Sequence, residues 1–267
     1  MMNDLTKTGL AIILALILLT LLAPVFWPHS PYEQHSERIF KPPSAGHWFG
    51  TDETGRDLFA RVSIAIGISL AVGALSVVIG AVIGIPFGTV SAFFGGPPDI
   101  LMQRVVDIFM SFPLLIMGLM IIAAVGSGFW PLVAAIGIAQ SPRFARMARG
   151  CTLAIKESEF IEASRSFGAG NTHIMYKHIL RNITGPLIVQ SVLFLSDAIM
   201  VEAGLTFLGL GIQPPTPTLG NLIRGGVAFL SVTPWISIIA GAFLSVMIVG
   251  LHLLGDGLRD QLAPEFR

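Results

Sequence analysis

Residues able to do chemistry are few in this chain of 267. Asp197 and Glu202 stand inside an otherwise uncharged apolar stretch. An acid near the centre of a bilayer costs roughly 2.5–3.5 kcal/mol on insertion scales, so both must face protein or water. Five positions on a helix turn through about 500°, which leaves about 140° between them, so they need not share one site. Two roles fit equally: lining a translocation path or an intersubunit contact, and hydrogen bonding inside a helix bundle. Asp197, nearer the middle of the stretch, is the better path candidate. Asp107 lies three positions after Arg104, a spacing that predicts a local ion pair. His252 and Asp256 share a helical face, but two ligands without a third make a poor metal site. His29, His35 and His47 fall on helix-free chain and show no shared local geometry, while His173 and His178 suit contacts with a partner or solvent. No metal site is expected. Cys151 is the single cysteine, which excludes an internal disulfide and any multi-cysteine site. No Ser/His/Asp set or HExxH motif is present. The nearest approach to a GxxxxGK[ST] phosphate loop, Gly50 to Gly55, is followed by Arg56-Asp57. No catalytic residue is expected in this chain, and nucleotide chemistry must come from elsewhere.

The elements that position these residues are apolar helices. Charged residues make up 12% of the chain and hydrophobic residues 53%, with mean hydropathy +0.77. Soluble domains carry about 25% charged residues, so lipid is the natural solvent here. Net charge is zero and no basic block occurs, which removes the electrostatic footprint of nucleic-acid binding. Gly9 to Trp27 is one uncharged run of crossing length, and no small-x-small cleavage site precedes the Pro24–Pro28 region, so it reads as a signal anchor. Val62 to Phe94 holds a second helix, with Gly80, Gly84 and Gly88 on one face where another backbone can approach. Ile108 to Pro142 is uncharged for 35 residues and is broken at Gly126-Ser127-Gly128-Phe129-Trp130-Pro131, giving helices at roughly 101–125 and 130–148. A fifth helix spans roughly 185–207 and a sixth roughly 234–254, opening after Thr233-Pro234-Trp235.

The reading is therefore an all-α integral membrane protein of about six transmembrane helices. With the N-terminus inside, cytoplasmic segments hold eleven Lys and Arg residues and outer segments five, which supports an N-in, C-in arrangement. Residues 1–61 form a first helix plus an outer segment, and residues 62–267 form the main membrane domain.

Seven of the eleven inner basic residues sit in or beside one hydrophilic loop, about 150–184. It reads as two short amphipathic helices. Phe160, Ala163, Ser164 and Phe167 share a face of the first, and Gly168-Ala169-Gly170 ends it. Asn171 can cap the second, Thr172 to Leu180, with Met175 and Ile179 on its apolar stripe. Such a pair under a membrane domain is shaped to enter a groove on a cytoplasmic partner.

Glu162-Ala163-Ser164, then Gly168, then His178-Ile179-Leu180 resembles the EAA loop of ABC-importer permeases. Ser164 replaces the usual third alanine, and Arg181 stands where proline usually follows the Ile-Leu pair. Gly50-Thr51-Asp52-Glu53-Thr54-Gly55-Arg56-Asp57 is similar to the GTDxxGRD motif of one of the two permeases in the dipeptide, oligopeptide and nickel importers. Phe207-Leu208-Gly209-Leu210-Gly211 and Gly255-Asp256-Gly257-Leu258-Arg259-Asp260 also match that family. Four motifs in the right order make the resemblance specific, and it covers nearly the whole chain.

The resemblance implies the type I ABC importer permease fold, in the bacterial inner membrane. It implies partnership with a second, non-identical permease, two ATPase subunits and an extracytoplasmic substrate-binding protein. ATP and Mg are then held by those partners and no cofactor by this chain. Glu162, Ala163, Ser164, Gly168, Phe160, Phe167, His178 and Ile179 would couple the chain to the ATPase. Gln213 to Gly220, rich in proline, is an outer surface for the binding protein or a plain loop, and Leu219 stands where relatives often have Trp. Peptides are the commonest cargo of such systems, with nickel-chelator, glutathione and opine-type cargo as alternatives. A stand-alone channel or secondary transporter is the rival class, but repeated intramembrane charges are lacking and the basic loop would go unexplained.

Overall fold

The computed structural model describes residues 3–262. Ten helices follow in chain order: α1 (Asp4–Phe26), α2 (Leu58–Phe94), α3 (Gly96–Met110), α4 (Leu114–Val125), α5 (Phe129–Ile155), α6 (Glu159–Ser166), α7 (Asn171–His173), α8 (Arg181–Phe207), α9 (Leu219–Val227) and α10 (Pro234–Leu262). Among the described residues extended chain forms only isolated bridges, Ser44 with His47 and Thr51 with Asp57.

Helix starts follow local chemistry. The Asp57 carboxylate accepts from the Ala60 N–H at 2.8 Å and caps α2. Thr218 and Asn221 form a reciprocal capping box at α9. Pro234 opens α10, where its missing N–H costs nothing.

Two expectations change here. The helix expected at 101–125 is α3 and α4, which meet at 89°. Pro113 lacks an N–H and pushes Phe112 away from helical geometry, so the chain re-starts a helix at Leu114. The second short helix of the 150–184 loop does not stand alone either. From Asn171 the chain runs helically to Phe207 as one 37-residue helix, with a π-helical stretch at Ile174–Leu180. Arg181 sits at φ −62°, ψ −39°, and its backbone N–H permits the continuity that a proline there would interrupt. Asn171 is accordingly the first residue of that helix, with Gly170 at the cap.

Four helices are long and apolar enough to cross a bilayer alone: α1, α2, the continuous Asn171–Phe207 helix and α10. The α3–α4 pair, bent by 89°, has the length and composition of a broken span or a re-entrant loop; α4 alone, at 12 residues, is about 18 Å long and too short to cross. α5 has 27 residues, sufficient in length, with Arg143, Arg146 and Arg149 in its second half. Sidedness fixes the parity of the crossings. Asn3 Nδ2 donates to Asp260 at 3.3 Å and Gln261 Nε2 to Thr6 Oγ1 at 3.0 Å, so the two described ends lie on one side and the number of crossings is even. Phe40 meets Phe229 at 4.7 Å between ring centroids, which puts the 27–57 segment and the loop before α10 together at the opposite end.

Close backbone packing replaces hydrophobic driving force inside lipid. A Cβ on Gly84 would stand 2.2 Å from the Ser141 carbonyl oxygen and one on Gly88 2.0 Å from that of Ala145, so the expected glycine face of α2 is where α5 lies. Gly9 and Gly257 do the same for α1 against α10, each Cβ falling 2.4–2.5 Å from a backbone nitrogen, of Leu254 and Thr6 respectively. Three apolar clusters result. One joins α1, α2, α9 and α10 through Leu16, Ile66, Leu222 and Leu251; one joins α4, α5 and α8 through Ile122, Ile136 and Leu205; the third lies under the 150–184 loop.

Candidate functional site

The loop between α5 and α8 is held from within and bare without. Ile161, Ile174 and Ile179 are fully buried, packed with Phe93 at the end of α2, Ala148 of α5 and Ile183 and Leu187 of α8. Arg165 places its guanidinium 5.6 Å from the Phe93 ring centroid, a second tie to α2. Ser164 Oγ lies 3.2 Å from His178 Nε2, and the Phe160 and His178 rings lie 6.2 Å apart. Thus the unusual serine joins α6 to the π-helical stretch.

Facing solvent are Glu162, Ala163 and Gly168, with Phe160 45%, Tyr176 71% and Phe167 91% exposed. These three exposed aromatic rings are large apolar side chains left outside the core. Gly168 adopts φ +82° with no heavy atom within 4 Å of where a Cβ would stand, so glycine is required by the backbone and not by crowding. Of the sequence-named residues, Ile179 is an inward anchor and His178 is half-buried. Ile161, the largest inward contact of α6, was not singled out, although an isoleucine between Phe160 and Glu162 is the sole apolar residue on the opposite face.

The outer motif is the reverse case. Asp52 is buried and accepts from Thr54 N, Thr54 Oγ1 and Arg56 N at 2.8–3.0 Å and from Arg56 Nε at 2.7 Å. Arg61 Nε stands 3.3 Å from the same carboxylate, and its Nη1 donates to the Pro31 carbonyl at 3.0 Å. Thr51 is buried and its Oγ1 accepts from Lys41 N at 2.9 Å. Gly50 and Gly55 have φ +77° and +76°, and a Cβ on Gly55 would stand 2.0 Å from the His35 carbonyl oxygen. Asp57 caps α2 while accepting from Trp27 Nε1 at 2.9 Å. These residues knot the outer segment to the start of α2.

The two intramembrane acids part company. Glu202 is fully buried and accepts from Ser69 Oγ at 2.7 Å and Thr206 Oγ1 at 3.1 Å, so it ties α8 to α2 inside the bundle. Asp197 meets Arg143 Nη1 at 2.5 Å, with side chains 40% and 34% exposed. Charges left that open in a membrane span require water or a protein partner beside them. Asp107 pairs with Arg146 of α5 and not with Arg104, because the bend after Met110 carries α3 across α5. Asp99 and Arg149 pair beside it at 2.7 Å.

The remaining motifs are packing devices. A Cβ on Gly255 would stand 2.6 Å from Leu193 and one on Gly209 2.1 Å from Arg224. Leu219 is fully buried, so it offers nothing to an outside partner, and it opens the short helix α9 where a plain loop or outer surface is expected. The Thr218/Asn221 cap was its available signal. The histidines also depart from expectation: His29 and His47 do share a local geometry, with ring centroids 4.5 Å apart, whereas His35 pairs with Glu33 at 3.4 Å.

Residues 84–267 match the family described as binding-protein-dependent transport system inner membrane component, and residues 1–43 match the N-terminal TM domain of oligopeptide transport permease C. The chain belongs to the first of these families. The dipeptide transport system permease protein of Alkalihalophilus pseudofirmus is 36% identical over 99% of this chain and 87% of its own length. The glutathione transport system permease protein of Pectobacterium atrosepticum is 34% identical over 98% of this chain and 89% of its own length. In three dimensions the inward-facing MetNI methionine ABC transporter aligns at TM-score 0.63 and 20% identity, covering 76% of this chain and 96% of that one, a likeness of fold. The protein is thus a multi-pass permease subunit of a bacterial ABC importer, resident in the inner membrane, with the all-helical type I importer fold.

Proposed function

We propose that this permease joins a second, non-identical permease to form a path for peptides, and that α6 and the Gly168 turn dock on one of two ATPase subunits. ATP and Mg are held by those ATPases, and an extracytoplasmic binding protein delivers the cargo. The observation that carries the coupling reading is the apolar cluster shared by the loop and the ends of α2, α5 and α8. A push on the exposed aromatic patch reaches three membrane helices through Ile161, Ile174 and Ile179 without crossing a soft joint. Closing and opening of the ATPases then rock those helices between inward- and outward-facing states.

Peptide cargo is supported by the relatives' names, dipeptide and oligopeptide systems among them, with the glutathione system standing for the alternative cargo. It is also supported by the half-exposed Arg143–Asp197 pair, whose two charges complement the carboxylate and ammonium of a zwitterion. The test is a mild-detergent pull-down from the native membrane followed by uptake of labelled di- and tripeptides in vesicles holding the recovered complex. Recovery of a second permease with ATPases, and ATP-dependent uptake competed by peptides, is the expected result. Uptake of a nickel chelate or an opine instead would replace the cargo. A folded chain recovered alone would turn the reading to a stand-alone channel or secondary transporter.

A further inference from the structure

At the junction of α1 and α2, three potential ligands converge from three separate stretches of chain. His29 follows α1, His47 lies in the hairpin-like turn at Ser44–His47, and Asp57 caps α2. One nitrogen from each histidine and one Asp57 oxygen all lie within 4.8 Å of one another. The groups around them already orient them. His29 Nε2 lies 2.9 Å from the Gly46 carbonyl oxygen, which can only accept, so its Nδ1 is left with the lone pair. His47 Nδ1 lies 2.7 Å from Asp57 Oδ2, while Asp57 Oδ1 is occupied by the Trp27 and Ala60 donors. The two imidazoles stand nearly stacked, 31° from parallel, under the edge of Trp27.

We propose that His29, His47 and Asp57 bind one divalent transition-metal ion of the zinc, nickel or copper class, with water completing the shell. Two imidazoles and one carboxylate suit those ions and not calcium or magnesium, which prefer all-oxygen shells. The ion takes the place of the proton between His47 Nδ1 and Asp57 Oδ2, and that proton moves to His47 Nε2. Ligand atoms about 2.0–2.2 Å from a tetrahedral ion stand roughly 3.3 Å apart, so the 2.7 Å contact opens slightly and the 4.8 Å spread contracts. The carbonyl of Gly46 then serves as the outer partner that holds the His29 ring. A bound ion would staple the end of α1 and the outer segment to the start of α2. The inference uses neither the cargo nor the coupling assignment.

The test uses the full-length protein, purified with its partner subunits, without a polyhistidine tag and stripped with a chelator. Titration with Zn²⁺ or Ni²⁺ by calorimetry should show one saturating equivalent. Trp27 and Trp48, with centroids 4.5 Å apart beside the site, should report Ni²⁺ by quenching. The double change His29→Gln with His47→Gln should abolish this equivalent, Asp57→Asn should weaken binding while keeping an α2 cap, and His35→Gln should leave it intact. X-ray absorption on the zinc-loaded wild type needs no variant and should show two imidazoles plus oxygen near 2.0 Å. No saturating equivalent, undiminished binding in the double variant, or a shell with sulfur or oxygen alone would each overturn the proposal.

Discussion

The outer knot at 50–61 and the loop at 159–180 both stand out in the sequence as motifs, yet they spend their residues in opposite directions. In the knot, Asp52, Arg56 and Arg61 turn inward and are buried with their charges paired, and buried Asp57 is held by hydrogen bonds. In the loop, Glu162, Phe160, Phe167 and Gly168 face outward, and apolar side chains, the three buried isoleucines foremost, point in. A motif is therefore no guide to whether a residue holds the fold or meets a partner; burial and hydrogen bonding decide it.

The sharpest attack on this contrast is Asp52→Ala. It leaves Arg61 buried without its ion-pair partner and Arg56 with Glu53 alone, and should cost about 3–5 kcal/mol, read as loss of folded protein in the membrane and a lower unfolding midpoint. An unchanged midpoint would mean that the knot is not structural.

Gly168→Val comes next. A β-branched residue at φ +82° costs roughly 1–2 kcal/mol at the turn, with insertion intact and transport-linked ATP hydrolysis lost. Normal transport by this variant would remove the coupling assignment from the loop.

Asp57→Ala should cost about 1 kcal/mol through the lost α2 cap, and Asp57→Asn appreciably less, compared by thermal unfolding in chelator. Equal losses would shift the weight from the cap to the carboxylate charge.

The smallest stability effect belongs to Phe167→Ala, within about 0.5 kcal/mol, because the ring is 91% exposed. Its ATPase subunits should nevertheless be recovered in lower yield in a pull-down. A lowered midpoint with full recovery would reverse the roles drawn for the two regions.

A similar division separates the intramembrane acids. The sequence offers both Asp197 and Glu202 as path candidates, with Asp197 the better placed. Glu202 is spoken for by Ser69, 133 positions away, and Asp197 by Arg143, 54 positions away. Neither partner is legible from spacing, since helical periodicity speaks only within one element. The same limit hid the Asp107–Arg146 pair, which exists because α3 bends across α5.

By itself the sequence determined the solvent, the main spans, the glycine face of α2, the exposed face of α6 and the family. Each of these is written in composition, in a period of 3.6 or in contiguous motifs, and needs no knowledge of what lies across the bundle. Tertiary structure alone decided the pairing of Asp107 with Arg146, the inward turn of Leu219 and the meeting of His29, His47 and Asp57. Those outcomes depend on which backbones pack together over long chain separations, and no local pattern encodes a contact whose two halves lie on different helices.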